Sequence, residues 1–340
     1  MVQKHPFIAC KSPTVLVPLV LILIFSAYTG HTAQAMGWLP PWNHSELTEV
    51  TDFGTNPGNL KMYTYLPEKV PDNAPLVVVL HGCTQNAEEY AERTQWNRLA
   101  DRFGFAVIYP EQKMLNNGFS CFNWFSPADA SRDRGESLSI KQMIDKMRTD
   151  HSIDSQRVYV TGLSAGGYMA VVMLAVYPEV FAGGAVMAGG PFGCATNAVD
   201  AQNNCMKGLT DRTPAQWGDL VRLASGHSGP FPILSVFHGS MDPTVDDQNM
   251  TELVEQWTNI HGTDAVPDSD DLFRGHPHRT YNDGNGRPVV ETYHIQGMLH
   301  AVSVDPGSGE DQGGAVGAYA EDHDVYAAYY AALFWGLINP

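Results

Sequence analysis

The segment that most limits the fold runs from Arg157 to Tyr177. It reads Arg157-Val158-Tyr159-Val160-Thr161, then Gly162-Leu163-Ser164-Ala165-Gly166-Gly167, then an apolar run to Tyr177. A β-branched run followed by a helix that is apolar almost all round calls for burial of both elements. The glycines around Ser164 mark a sharp turn where neighbouring backbones approach closely. Such a strand–turn–helix lifts a serine hydroxyl above the end of a sheet. It also puts it at a helix N-terminus, which favours developing negative charge. Ser164 is therefore the candidate nucleophile.

The surrounding sequence repeats the alternation. Short runs apolar on both faces occur at Leu76–Leu80, Phe105–Tyr109 (stopped by Pro110), Val158–Val160, Ala185–Met187 and Ile233–Phe237. They read as buried parallel strands. Apolar residues at helical spacing predict helices over Tyr90–Phe103, Ser137–Arg148 and Ala165–Tyr177. The class is α/β, with a mainly parallel sheet and helices on both faces. With 44% apolar residues in 340, the chain can bury a sizeable core. Gly262–Pro288 is polar and reads as a surface excursion with a hairpin around Asp283-Gly284-Asn285-Gly286.

Lys4 and Lys11 precede an uncharged apolar run, Val15–Ala27, and Ala33-Gln34-Ala35 follows. This is the pattern of a secretory signal peptide, residues 1–35. The expectation is export, extracellular or periplasmic, of residues 36–340 as one catalytic domain and as a monomer with no membrane attachment. A net charge of −17 argues against nucleic-acid partners. Beyond Cys10, four cysteines remain, an even number for an oxidising compartment. Three pairings are open. The short loop between Cys194 and Cys205 favours that pair, leaving Cys83 with Cys121.

Three further places carry chemistry. His81-Gly82-Cys83 directly follows the Leu76–Leu80 strand, where an oxyanion hole is built from an early-loop N–H and that of the residue after the nucleophile. Those donors are Cys83 and Ala165. Asp242 follows the Ile233–Phe237 strand, stiffened by Pro243, and is the candidate acid. Asp246 and Asp247 are its rivals, but they open the next helix, where a capping role is expected. His300 lies in the loop after Gly297, whereas His294 sits inside a strand. The order Ser164, Asp242, His300 is that of α/β-hydrolases. Phe122, Trp124 and Phe125 are candidates for an apolar acyl-binding wall. His276-Pro277-His278 has no matching third ligand, and Asp268-Ser269-Asp270-Asp271 lacks the glycine and terminal glutamate of a calcium loop. No metal and no organic cofactor is expected. Asn43-His44-Ser45 and Asn249-Met250-Thr251 are glycosylation sequons.

These motifs, with Cys121-Phe122-Asn123-Trp124-Phe125, Gly193-Cys194-Ala195, Gly297-Met298-Leu299-His300, Val304-Asp305-Pro306-Gly307 and Phe334-Trp335-Gly336-Leu337, resemble the extracellular polyhydroxybutyrate depolymerases over about residues 58–337. Secreted feruloyl and acetylxylan esterases are similar. The resemblance implies an α/β-hydrolase fold with no large lid, a Ser164–Asp242–His300 triad, an oxyanion hole at Cys83, and Trp124 near the ester. The implied substrates are short-chain hydroxyacyl esters, as polyester or oligomer, or alternatively acylated cell-wall polysaccharide. Two departures bear on the choice. No substrate-binding domain is expected after the catalytic unit, and Gly313-Gly314 and Asp324 stand where many depolymerases have a further cysteine pair. Soluble or amorphous substrate is accordingly expected to be preferred over crystalline polymer.

Overall fold

A strand with apolar residues on both faces needs cover on both sides, and that requirement organises the molecule. The computed structural model describes residues 47–339, so the expected leader, Cys10 and the Asn43 sequon lie outside the described residues. Thr48–Val50 (β1) and Lys61–Tyr65 (β2) precede the fully buried strand Ala74–Leu80 (β3). Helices Ala87–Thr94 (α1) and Trp96–Phe103 (α2) lead to Ala106–Glu111 (β4). Gly135–Asp150 (α3), Ile153–Leu163 (β5), Ala165–Val176 (α4) and Gly183–Met187 (β6) follow. Next come a short turn of helix, Ala198–Asp200 (α5), then Pro214–Ser225 (α6), Ile233–Gly239 (β7) and Gln248–His261 (α7). Ser269–Phe273 (β8), His276–Asn282 (β9), Pro288–Ile295 (β10), Val302–Val304 (β11), Ala320–Asp322 (β12) and Ala327–Phe334 (α8) complete the order.

Ten strands form one sheet in the order β1-β2-β4-β3-β5-β6-β7-β10-β9-β8. The central six, β4 to β10, pair in parallel, and antiparallel pairs flank them at both edges. The strand period of two divides the core. Leu76, Val78 and Leu80 face α3, α4, α6 and α7, whereas Val77 and Val79 face α1, α2 and α8. On the second face Trp335 lies between Trp96 and Tyr159, stacked at 5.7 and 4.9 Å, and its Nε1 donates to the Gly184 carbonyl at 3.0 Å. That stack fastens the end of the chain to the middle of the sheet.

Three expectations are corrected. The helix read over Tyr90–Phe103 is two helices, broken at Gln95, which adopts φ 51°. The break lets Trp96 turn into the core while the apolar spacing continues across it. Pro110 does not stop its strand; β4 runs through it to Glu111. Its parallel pairing with β3 ends at Ile108, so Pro110 lies past that ladder, opposite Met62 of β2. The polar stretch from Gly262 is not only an excursion. It supplies β8 and β9, joined by a tight turn in which Arg274 and Gly275 both have positive φ. Its polarity reflects an edge position with much of each strand in solvent.

Candidate active site

β5 delivers Ser164 into a turn with φ 56° and ψ −120°. A non-glycine residue held there stores about 1–3 kcal/mol of strain. The turn survives because its neighbours have no side chains. A Cβ on Gly162 would lie 2.4 Å from the Gly166 carbonyl carbon, and one on Gly166 only 2.2 Å from the Leu80 carbonyl oxygen. β5, α4 and β3 thus touch backbone to backbone. The Ser164 N–H donates to the Met187 carbonyl at 2.9 Å, and its carbonyl accepts from Tyr168 at 2.9 Å. The hydroxyl is left as the free end of the turn.

Asp242 leaves the end of β7, and its side chain is buried. Its Oδ1 accepts from the backbone N–H groups of Thr244 (2.8 Å) and Val245 (3.0 Å). Oδ2 faces His300 Nδ1 at 2.7 Å, across 58 residues of chain. Burial pushes the carboxyl pKa up, but the His300 bond and the two N–H donors outweigh it and hold it below its usual value. Asp242 is therefore an anion throughout the neutral range, with His300 Nε2 as the outward ring nitrogen. His238, one strand position before Gly239, backs this loop. It is fully buried, with Nε2 on the Val245 carbonyl at 2.9 Å and 3.6 Å from Asp242 Oδ2. Desolvation lowers its pKa and keeps it neutral.

The rivals find other partners. Asp246 Oδ1 caps the Gln248 N–H at 3.0 Å. Asp247 is the N-cap residue but makes no side-chain cap bond; it pairs with His294 Nε2 at 2.9 Å instead. The expected capping role for Asp247 is corrected accordingly. The His276–His278 pair is likewise structural. His276 Nδ1 accepts from the Gln296 N–H at 3.0 Å, and His278 Nε2 meets Glu291 at 3.2 Å. Asn249 is 2% exposed, and its amide donates to the Asp246 carbonyl. That sequon is closed to modification in the folded chain.

Cys83 is bonded to Cys121 and Cys194 to Cys205. Among the described hydrogen bonds none takes the N–H of Cys83 or of Ala165, the first residue of α4. The Gly82–Cys83 peptide is aimed from behind. His81 Nε2 accepts the Gln112 N–H at 3.0 Å, which leaves Nδ1 to donate to the Gly82 carbonyl at 2.7 Å. In a trans peptide, fixing the carbonyl fixes the N–H on the other side. His81 is fully buried, and desolvation lowers its pKa so that it stays neutral. In the sequence this histidine is only part of a motif; its aiming role emerges from the fold.

Trp124 is 8% exposed and stacks on Tyr168, one turn into α4, with centroids 3.9 Å apart. Phe125 meets it edge-on at 5.5 Å. Phe122 is corrected: it has no exposed surface, and its ring packs on His81 at 5.0 Å, behind the wall and not on its face. Sequence reading missed a ring of exposed apolar side chains at the rim. Met241 and Leu299 precede Asp242 and His300 and are 62% and 46% exposed, and the Tyr319 ring lies 6.4 Å from that of His300.

A profile of the family described as "Esterase PHB depolymerase" matches residues 60–269. The chain is 54% identical over 294 residues, 86% of its length and 70% of the relative's, to a poly(3-hydroxyalkanoate) depolymerase C of Paucimonas lemoignei. The chain belongs to the PHB depolymerase esterase family. It is a carboxylic ester hydrolase of α/β-hydrolase fold. Other members of wider kinship are a feruloyl esterase B of Thermothelomyces thermophilus, 35% identical over 77% of this chain and 90% of that one, and an acetyl xylan esterase from Aspergillus awamori. The latter's solved structure superposes with a TM-score of 0.69 at 31% identity, over 75% of this chain and 94% of that one. In this PHB depolymerase-family chain, Ser164 and Asp242 fall inside the profile match and His300 beyond it, and the 2.7 Å bond ties His300 to Asp242. Among the described residues no helix is long and apolar enough to cross a membrane.

Proposed function

We propose that this esterase is exported and hydrolyses short-chain hydroxyacyl esters of the polyhydroxyalkanoate type through an acyl-enzyme on Ser164. The observation that carries the reading is the 2.7 Å bond between His300 Nδ1 and a buried, doubly N–H-bonded Asp242. It fixes the tautomer in which Nε2 is free to take the Ser164 proton. Ser164 Oγ attacks the ester carbonyl as that proton moves to His300. Asp242 stabilises the imidazolium. The N–H groups of Cys83 and Ala165 receive the tetrahedral oxyanion; removal of one such donor costs about 3–4 kcal/mol of activation. His300 then protonates the departing alcohol, and water, deprotonated by the same ring, releases the hydroxy acid.

The substrate class is supported by the higher identity to the polyhydroxyalkanoate enzyme than to the cell-wall esterases. Met241, Leu299 and Tyr319 beside Asp242 and His300 present an apolar rim that suits an aliphatic chain. Two disulfides fit an oxidising compartment. Initial rates on hydroxybutyrate trimer, amorphous and crystalline polyhydroxybutyrate, methyl ferulate and acetylated xylan test the reading side by side. The expected order places trimer and amorphous polymer first. A kcat/KM for methyl ferulate or acetylated xylan above that for the trimer would move the enzyme to the cell-wall class.

A further inference from the structure

Behind the Cys83–Cys121 bridge sits a buried carboxyl. Glu136, in the first turn of α3, is 1% exposed, and among the described ion pairs none includes it. Gly58 seals it from outside; a Cβ there would lie 2.5 Å from the Glu136 Cα. Three N–H donors converge on it. Oε2 accepts from the Asn123 backbone at 2.8 Å, and Oε1 from Asn123 Nδ2 at 2.7 Å and Gln112 Nε2 at 2.5 Å. The direction of these bonds is set by backbone groups farther out. Gln112 Oε1 accepts the Lys113 N–H at 2.9 Å, so its Nε2 must face Glu136. Asn117 Oδ1 accepts the Phe119 N–H at 3.0 Å, so Asn117 Nδ2 donates to Asn123 Oδ1 at 2.9 Å and Asn123 Nδ2 must face Glu136. All three neighbouring groups therefore reach the carboxyl as donors. Burial pushes the carboxyl up to about 8, and the Asn123 and Gln112 donors work against that rise.

Both arms end on the residues flanking Cys83. Through Gln112 the first reaches His81 at 3.0 Å, and His81 holds the Gly82 carbonyl at 2.7 Å. Through Asn123 and Asn117 the second reaches Phe119, whose carbonyl accepts the Thr84 N–H at 2.7 Å. We propose that Glu136 is a positioning residue for the oxyanion hole, a role that rests on the reading of Cys83 as a donor. Its two oxygens anchor the struts that hold the backbone before and after Cys83, and its bonds to Asn123 set the loop that carries Trp124. A buried carboxyl surrounded by polar groups is costly to keep. A single acceptor that every donor must face gives the loop one arrangement, which a dry apolar filler would not.

Glu136→Gln tests this. The introduced glutamine's carbonyl can take the Asn123 backbone N–H, but its amide then meets Asn123 Nδ2 and Gln112 Nε2, donor against donor. Adding Asn123→Asp returns an acceptor close by, facing both the introduced amide and Asn117. On a soluble chromogenic butyrate ester, Glu136→Gln should lower kcat about 10- to 100-fold with KM held within about twofold, the scale of a small misplacement of catalytic groups. The double variant should recover kcat to within about fivefold of wild type. Should Glu136→Gln fail to fold, Asn123→Ala, which removes one side-chain strut, should still lower kcat about fivefold at constant KM. Unchanged kcat in the folded variant, or a loss that Asn123→Asp does not relieve, overturns the role. Ser164→Ala run alongside separates the two readings: an active Ser164→Ala enzyme defeats the triad, whereas an inactive one beside a fully active Glu136→Gln enzyme defeats only the positioning role.

Discussion

Asp242→Asn is the sharpest test of the catalytic geometry, because the backbone dictates which way the new amide must face. Oδ1 accepts two backbone N–H bonds, from Thr244 at 2.8 Å and Val245 at 3.0 Å. An NH₂ group in that position would oppose both, so the asparagine oxygen is forced there. The NH₂ then occupies the Oδ2 position, 2.7 Å from His300 Nδ1. His238 offers no escape, since its Nε2 is 3.6 Å from that oxygen and already donates to the Val245 carbonyl. The amide therefore donates to His300 Nδ1, and the ring proton moves to Nε2. In that tautomer His300 cannot accept the Ser164 proton. The fold is undisturbed while kcat should fall on the order of 10⁴, or about 5.5 kcal/mol of activation. Stopped-flow release of chromogenic alcohol, with a thermal melt as the folding control, measures it. Asp247→Asn breaks only the His294 pair and should leave kcat within about threefold, as befits a partly exposed ion pair. A folded Asp242→Asn enzyme within tenfold of wild type, or an Asp247→Asn enzyme that loses more, refutes the reasoning. The same carboxylate has a signature in stability. Its folded pKa lies below the ordinary 3.8, so its contribution is complete above that value and vanishes as pH falls through the folded value. The asparagine variant should lack that acid-side loss.

Three further outcomes are expected. Ser164→Ala should remain folded and lose nearly all activity, since losses near 10⁶ accompany removal of such a nucleophile; more than about a hundredth of wild-type kcat remaining would contradict its role. Reduction of Cys83–Cys121, which closes a loop over a separation of 38 residues, should remove about 4 kcal/mol of stability on the loop-entropy account and also lower kcat, because it frees the backbone at Cys83. Retained kcat in reduced, still-folded enzyme would show the loop to be held without the bridge. His261 is kept below the ordinary 6.5 by burial, with the Pro232 carbonyl only partly offsetting it. The unfolded chain takes up a proton there that the folded chain refuses, so His261 supports stability above about 6.5 and loses it as pH falls below. Denaturant unfolding should show the wild type losing stability relative to His261→Gln between pH 7.5 and 5; a constant difference would mean the ring takes up its proton in the fold as readily as in the unfolded chain.

The short-range order of the chain determined a great deal. Gly162, Gly166 and the apolar segments on either side dictate a strand–turn–helix around Ser164, since only glycine permits contacts as close as 2.2 Å to the Leu80 carbonyl. Runs apolar on both faces dictate a covered parallel sheet, and loops after β7 and β10 are where an acid and a base reach its carboxyl end. These are properties of neighbours within a few residues, and period and composition report them directly. Other features depend on which distant groups meet. Phe122 and Trp124 have the same spacing and apolar character, yet one is walled in behind His81 and the other keeps an edge at the surface. Asp242 and Asp247 differ little in sequence context; the bonds from Thr244, Val245 and His300 single out the first, and His294 claims the second. Glu136 carries no motif at all. Written along the chain it is one more acid in the first turn of a helix, where exposure is the rule. Only packing beneath Gly58, with Gln112 and Asn123 folded back from the long connection between β4 and α3, makes it the buried acceptor behind Cys83. Hydrogen-bond direction and burial belong to the assembled backbone, and no local pattern encodes them.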